Sequence, residues 1–169
     1  MPPAAKAPPA SRPQATVMLS RVAHSLYWMS RYIERAENIA RLLEVNLQMM
    51  ADFKSVEDGP MGEHWTSILA SSGEQELFEK HHKEADSRRV TEFFAFDLKN
   101  PSSILSCVCA ARENARMIRD QISAEMWETI NELYLFLKAR STAEGASAGP
   151  NEFFQHIKMV SHLFQCLTA

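Results

Sequence analysis

The side chains most able to do chemistry in this sequence are charged residues that interrupt a long apolar stretch. They are Arg31, Glu34, Arg35, Glu37, Asn38 and Arg41. A guanidinium group close to a buried surface needs a carboxylate or carbonyl partner, because an unpaired buried charge is costly. The cluster therefore predicts one of two things, either structural ion pairs between helices or a site for an anionic ligand.

The segment that positions these charges, residues 19–53, has the periodicity of one long helix and contains neither Pro nor Gly. Its apolar residues recur at alternating spacings of three and four, which is the pattern of one helical face. They are Val22, Leu26, Met29, Ile33, Ala36, Ala40, Leu43, Leu47 and Met50. At about 100° per residue, Trp28, Ile39, Leu42 and Met49 widen this stripe to nearly half of the circumference. We therefore expect this helix to be deeply buried.

Positions on the helix predict different surroundings for the charges. Arg35 falls in line with Trp28 and Leu42, at the edge of the buried arc. We expect it to form an ion pair with a carboxylate of another helix, and its replacement to be strongly destabilising. The alternative is that Arg35 binds an anion or a substrate. Glu37 and Arg41 are expected to form an exposed pair of the i,i+4 type.

A second long helix is predicted over residues 104–139, after an Asn-Pro-Ser-Ser stop and N-cap at 100–103. Its apolar stripe consists of Val108, Ala111, Ala115, Ile118, Ile122, Met126, Ile130, Leu133 and Leu137. Its candidate site residues are Arg112, Glu113, Arg116, Arg119 and Glu125. Both long helices carry arginines at the core boundary and carboxylates nearby, which predicts mutual pairing across an antiparallel contact.

Shorter helices are predicted around Trp65, around Phe78, after Asp86 and over residues 151–167. The predicted fold is therefore all-α, a helical bundle built on two long antiparallel helices plus three or four shorter helices. Residues 1–17 hold five of the eight prolines and are expected to form a disordered tail. Residues 18–169 are expected to form a single helical domain.

Composition argues against several classes of function. The net charge of −3 gives no electrostatic case for nucleic acid, and no apolar run approaches the length of a membrane span. Neither a metal-ligand spacing nor a glycine-rich phosphate loop is present, so we predict no metal and no cofactor. We expect the three cysteines, Cys107, Cys109 and Cys166, to be reduced and to pack in the core of a cytoplasmic protein.

Two stretches resemble the bacterial Alpha-E domain family, all-helical proteins named for an E-R motif. The first, MLSRVAHSLYWMSRYIERAENIARLLEVN, contains Glu34-Arg35. The second, NPSSILSCVCAARENARMIRDQISAEMWETINELYLFL, contains RENAR at residues 112–116 and EMW at 125–127. The resemblance covers residues 18–169 and corresponds to the N-terminal half of typical members.

The resemblance implies a role beside ATP-grasp-type ligases and transglutaminase-like proteases in a peptide-modifying system. We therefore expect a non-catalytic helical interaction subunit. The alternative is a ligand-binding or catalytic component that uses the Arg/Glu cluster of the E-R motif. Convergence of Glu34 and Glu113 with arginines in one pocket would favour the alternative. Because the apolar arcs are wide, we also expect a homo-oligomer or a separately encoded helical partner.

Overall fold

The computed structural model describes residues 20–53, 61–142 and 150–168, and every regular element in these ranges is an α-helix. The helices are α1 (Ser20–Phe53), α2 (Met61–Ser72), α3 (Gln75–Glu79), α4 (Ser87–Ala95), α5 (Ile104–Met117), α6 (Ala124–Thr142) and α7 (Pro150–Thr168). The all-α prediction is confirmed. The predicted tail, residues 1–17, lies outside the described residues.

Helix α1 is the central element, and α4, α5 and α7 all pack against it. The middle of its predicted apolar stripe is buried, while Val22, Leu26 and Leu47 at the two ends of the stripe are partly exposed. The buried members are Met29, Ile33, Ala36, Ala40, Leu43 and Met50. Alanines at two central positions allow a neighbouring helix to approach closely. Among the described helices, α5 makes the most extensive contact with α1.

The prediction of one continuous helix over residues 104–139 is wrong, because the chain forms two helices in this range, α5 and α6. Ile118, with φ −123° and ψ 30°, leaves the helical conformation at the end of α5. The Ser123 hydroxyl then accepts the backbone N–H of Met126 at 3.1 Å and starts α6. The chain reverses between them, so that Arg112 of α5 donates to Asn131 of α6 at 2.8 Å.

Side-chain caps begin two of the helices, close to the starts that the sequence predicted. The Asp86 carboxylate accepts the N–H of Arg89 at 2.7 Å at the start of α4. The Ser103 hydroxyl accepts the N–H of Ser106 at 3.1 Å at the start of α5. Each cap satisfies a backbone donor that the helix itself leaves without a partner.

Helix α7 lies along α1 in the opposite direction. Glu37 of α1 contacts Gln165 near the end of α7, whereas Glu44, two turns further along α1, contacts Gln155 near its start. The face of α7 that meets the core is rich in phenylalanine and includes Phe154. None of the described helices is long and apolar enough to cross a membrane.

Candidate functional site

The dipeptide Glu-Arg occurs once in the sequence, at Glu34-Arg35 in the middle of α1. Arg31, one turn earlier, donates to the Glu34 carboxylate at 2.5 Å, and both side chains are about half exposed, 48% and 49%. An exposed pair on one helix adds only a few tenths of a kcal/mol to stability. Glu34 therefore contributes little to holding the helices together.

Arg35 is exposed, and no carboxylate among the described residues lies within ion-pair distance of it. The predicted ion pair with another helix is therefore wrong. The physical reason is that α7, which carries polar side chains towards α1, covers the opposite flank of α1. Burial raises the pKa of the Cys107 thiol on α5 to about 11. The positive charge of Arg35 acts in the opposite direction but does not outweigh burial.

Three aromatic residues fall on the same side of α1 as Arg31 and Arg35 by helical spacing. Tyr27 and Trp28 meet edge to face with their centroids 5.4 Å apart, and Trp28 and Tyr32 are 5.7 Å apart. Tyr27 is 58% exposed, and the other two rings are partly exposed. We call this side of α1 the ER face, and it consists of Tyr27, Trp28, Arg31, Tyr32 and Arg35. Arginine, tryptophan and tyrosine are the residues enriched at the energetic centres of protein interfaces.

Glu37, three residues after Glu34, has a very different environment, because it is only 6% exposed. One carboxylate oxygen accepts from Ser161 at 2.6 Å and from Gln165 at 3.0 Å. The other accepts from Arg41 at 2.6 and 2.9 Å and lies 3.1 Å from Nε2 of His162. We call these five residues the Glu37 cluster. The predicted Glu37–Arg41 pair is confirmed, but its predicted exposure is wrong for Glu37 because α7 covers it.

Glu37 is held as an anion by this cluster. Burial on its own would raise the pKa of the carboxyl group. Hydrogen bonds from Ser161 and Arg41, together with the positive charge of Arg41 and a smaller electrostatic contribution from His162, outweigh burial and lower the pKa of Glu37 below its ordinary value. Since its oxygens are occupied and covered, Glu37 joins α1 to α7 and is not accessible to a ligand.

The second motif, on α5, also forms local pairs. Glu113 accepts from Arg116 of its own helix at 2.8 and 2.9 Å, and Arg112 lies 3.8 Å away. Among the described residues, neither Glu34 nor Glu113 pairs with an arginine of the other helix, as the predicted mutual pairing of the two long helices would allow. The two carboxylates therefore do not converge in one site.

The remaining candidate residues are dispersed. Asn38 and Arg41 are exposed on α1, although Arg41 contributes to the Glu37 cluster. Arg119 lies over the ring of Trp127, with 5.6 Å between its guanidinium carbon and the ring centroid. Glu125 is exposed at the start of α6, where its own backbone N–H and the Ser123 hydroxyl lower its pKa. Within the described ranges, no three His, Cys, Asp or Glu side chains are grouped as metal ligands.

Glu37 was named in the charge cluster of α1 but was expected to be exposed, although the sequence held one signal of its burial. Glu37 lies four residues after Ile33, one turn further along α1, at the edge of the buried stripe. Its partners Ser161 and Gln165 are likewise four residues apart on α7. What the sequence did not specify was which flank of α1 the last helix would cover.

Comparison with known proteins gives related sequences but no solved structure that matches. An uncharacterized protein of Mycobacterium bovis is 32% identical over 133 residues, which is 72% of this chain and 15% of the relative. Uncharacterized proteins of two Mycobacterium tuberculosis strains are 32% and 31% identical over the same length. The match therefore spans 15% of the length of these relatives.

The sequence profile of the Alpha-E family matches residues 18–169. That family is described as a predicted alpha-helical domain with a conserved ER motif. The helices observed here agree with the first part of this description, and Glu34-Arg35, the single Glu-Arg dipeptide of the sequence, corresponds to the second. The protein belongs to the Alpha-E family.

Proposed function

We propose that this protein is a non-catalytic helical interaction subunit, and that it binds a partner protein through the ER face. The observation that carries the proposal is the environment of Arg35. This arginine belongs to the motif for which the family is described, yet it is exposed and has no carboxylate partner among the described residues. It lies beside partly exposed aromatic rings on the same helix.

A conserved residue that serves the fold is usually buried or part of a buried network. Conserved polar residues on a surface more often take part in binding or catalysis. Glu34 and Arg35 belong to the second kind, because Glu34 has only a local partner and Arg35 is exposed. Their position supports a role outside the packing of this domain.

A separate partner protein is favoured over a second copy of this chain. In a two-fold contact between two ER faces, the guanidinium groups of Arg31 and Arg35 from both copies would be brought into the same small interface. Like charges in an interface oppose association. A partner that presents a carboxylate and apolar side chains would complement both the guanidinium of Arg35 and the rings of Tyr27 and Trp28.

The resemblance to the Alpha-E family suggests which partner to test first. It implies an ATP-grasp-type ligase or a transglutaminase-like protein of a cytoplasmic peptide-modifying system. In the mycobacterial relatives the matched segment is 15% of the chain, so there it shares a polypeptide with other regions. This arrangement supports a domain that works beside other domains.

A catalytic role for the Arg/Glu cluster has less support. Such a site would need Glu34 and Glu113 to face a common cavity with their arginines. Instead, each carboxylate binds an arginine three residues away on its own helix, at the exposed surface. This arrangement favours the interaction subunit.

Photo-crosslinking in the native host tests the proposal. A photoreactive amino acid replaces Tyr27 on the ER face, or Val45 as the control. Val45 is also on α1 and equally exposed, at 58%. We expect position 27, and not position 45, to crosslink to a separate protein, identified by mass spectrometry as an ATP-grasp-type or transglutaminase-like protein. The substitution Arg35→Ala should abolish this crosslink.

Three results would contradict the proposal. Equal crosslinking from both positions would show that the ER face is not selective. A crosslink from position 27 that survives Arg35→Ala would show that the motif arginine is not part of the contact. A crosslink only to a second copy of the chain would replace the proposed partner by self-association.

A further inference from the structure

A different surface, between α5 and α6, carries a line of cations over two aromatic rings. The guanidinium carbon of Arg112 is 4.6 Å from the ring centroid of Tyr134 and 5.5 Å from that of Trp127. Arg119 lies 5.6 Å from the Trp127 ring, and Lys138 lies 5.9 Å from the Tyr134 ring. Trp127 and Tyr134 are seven residues apart on α6 and therefore point to the same side. We call these five residues the cation–π array.

One cation of the array is explained by the contact between the two helices. Arg112 donates from Nε to the Asn131 side chain at 2.8 Å, and its side chain is only 28% exposed. It therefore joins α5 to α6 through a hydrogen bond and two rings. Arg112 would hold the helices together in the same way without a second or third cation beside it.

Arg119 and Lys138 are not explained in this way. Both are exposed, and no carboxylate in the described part of the chain pairs with either. The carboxylate nearest to Arg112, that of Glu113, is 3.8 Å away and already accepts two bonds from Arg116. Several cations held close together repel one another unless an anion approaches them. The array therefore presents positive charge that the described residues leave uncompensated.

We infer that the cation–π array is a second binding surface, and that its ligand is an acidic segment of a protein. Carboxylates complement Arg119 and Lys138 in charge, and both cations are exposed enough to meet them. This surface is on α5 and α6 and not on α1, so the inference does not depend on the proposed role of the ER face.

The occupied rings argue against single-stranded nucleic acid as the ligand. Proteins that bind single strands stack bases on free aromatic faces. Here Trp127 has two guanidinium groups over its ring, and Tyr134 has one guanidinium and one ammonium group.

Titration of the full chain with a short blocked polyglutamate peptide tests this inference. The readout is the indole N–H signals of the three tryptophans in nitrogen-edited NMR. The array variant carries Arg119→Gln and Lys138→Gln. The control carries Arg88→Gln and Lys83→Gln, two exposed cations elsewhere that remove the same charge. Thermal melting establishes that both variants remain folded.

We expect the peptide to shift the Trp127 signal of the native protein, with an affinity that falls as salt is added. The array variant should bind roughly tenfold more weakly, and the control should bind as the native protein does. No binding, or equal weakening in both variants, would overturn the inference. An oligothymidylate that shifts the Trp127 signal at lower concentration than the peptide would overturn the assignment to an acidic protein segment.

Discussion

Two glutamates three residues apart on α1 have opposite environments. Glu37 is covered by α7 and accepts hydrogen bonds from Ser161, Gln165 and Arg41. Glu34, in the motif for which the family is described, faces outward and pairs only with a neighbour on its own helix. Glu37, which joins α1 to α7, is therefore not part of the Glu34-Arg35 motif.

The difference follows from which side of α1 the last helix covers. Helix α7 packs over the side that carries Glu37 and Glu44, and Lys158 forms an ion pair with Glu44 in which both side chains are 13% exposed. The side that carries Arg35 and its neighbouring rings stays partly open. Helix α7 thus covers the flank of α1 that is used for folding and leaves the ER face partly open.

The largest effect that separates the two regions is expected for Glu37→Ala. Removing the carboxylate leaves the buried hydroxyl of Ser161, which is 1% exposed, without the group that accepts its hydrogen bond. Hydrogen bonds to a charged group contribute about 1.5 to 3 kcal/mol each, so losing the two that α7 donates to Glu37 should cost about 3 kcal/mol or more. The free energy of unfolding, measured in urea, should fall by that amount. Glu34→Ala is the matched control and should cost less than about 0.5 kcal/mol. Equal losses of unfolding free energy in the two variants would contradict the difference between the roles of Glu37 and Glu34.

A smaller loss is expected for Ser161→Ala, which removes one hydrogen bond from α7 to the Glu37 carboxylate. A hydrogen bond to a charged group contributes about 1.5 kcal/mol or somewhat more. Ser67→Ala is the control, since the Ser67 hydroxyl bonds to the carbonyl of Glu63 on the exposed side of α2. That variant should unfold within about 0.5 kcal/mol of the native protein. If Ser161→Ala were equally neutral, the contact between α1 and α7 would not depend on this bond.

Acid should weaken the Glu37 cluster in a defined direction. The folded pKa of Glu37 lies below its unfolded value, so its contribution is complete above the ordinary glutamate pKa of about 4.3. The contribution is lost as the pH falls from there through the lowered folded pKa. Glu37→Gln cannot titrate at this position. The stability difference between the native protein and this variant should therefore narrow as the pH falls. A difference that stays constant with pH would contradict the lowered pKa.

Local residue types placed the starts of α4 and α5 near Asp86 and Ser103, and helical periodicity was sufficient to predict α1 almost to the residue. It was not sufficient at residues 118–123, where the chain turns without Gly or Pro. Ile118 and Met126 keep the apolar spacing on both sides of the turn, so the stripe appears continuous. The Ser123 cap was the one local signal of a new helix.

The same limit applied to the candidate site. The sequence located the charged residues on α1 and predicted the Glu37–Arg41 pair correctly. It assigned the buried partner to Arg35, because Trp28 and Leu42 widen the apolar stripe on that side. Whether a flank is buried depends on where a distant helix packs, and periodicity within α1 contains no information on the position of α7.

The smallest expected effect is also the most direct test of the central claim, that the motif arginine serves binding and not the fold. Urea unfolding of Arg35→Ala should show a loss below about 0.5 kcal/mol, because the side chain is exposed and no described carboxylate depends on it. Measured beside Glu37→Ala, the two free energies of unfolding should differ by more than about 2 kcal/mol. A loss of about 3 kcal/mol for Arg35→Ala would show that Arg35 stabilises the helical core, and would contradict the account.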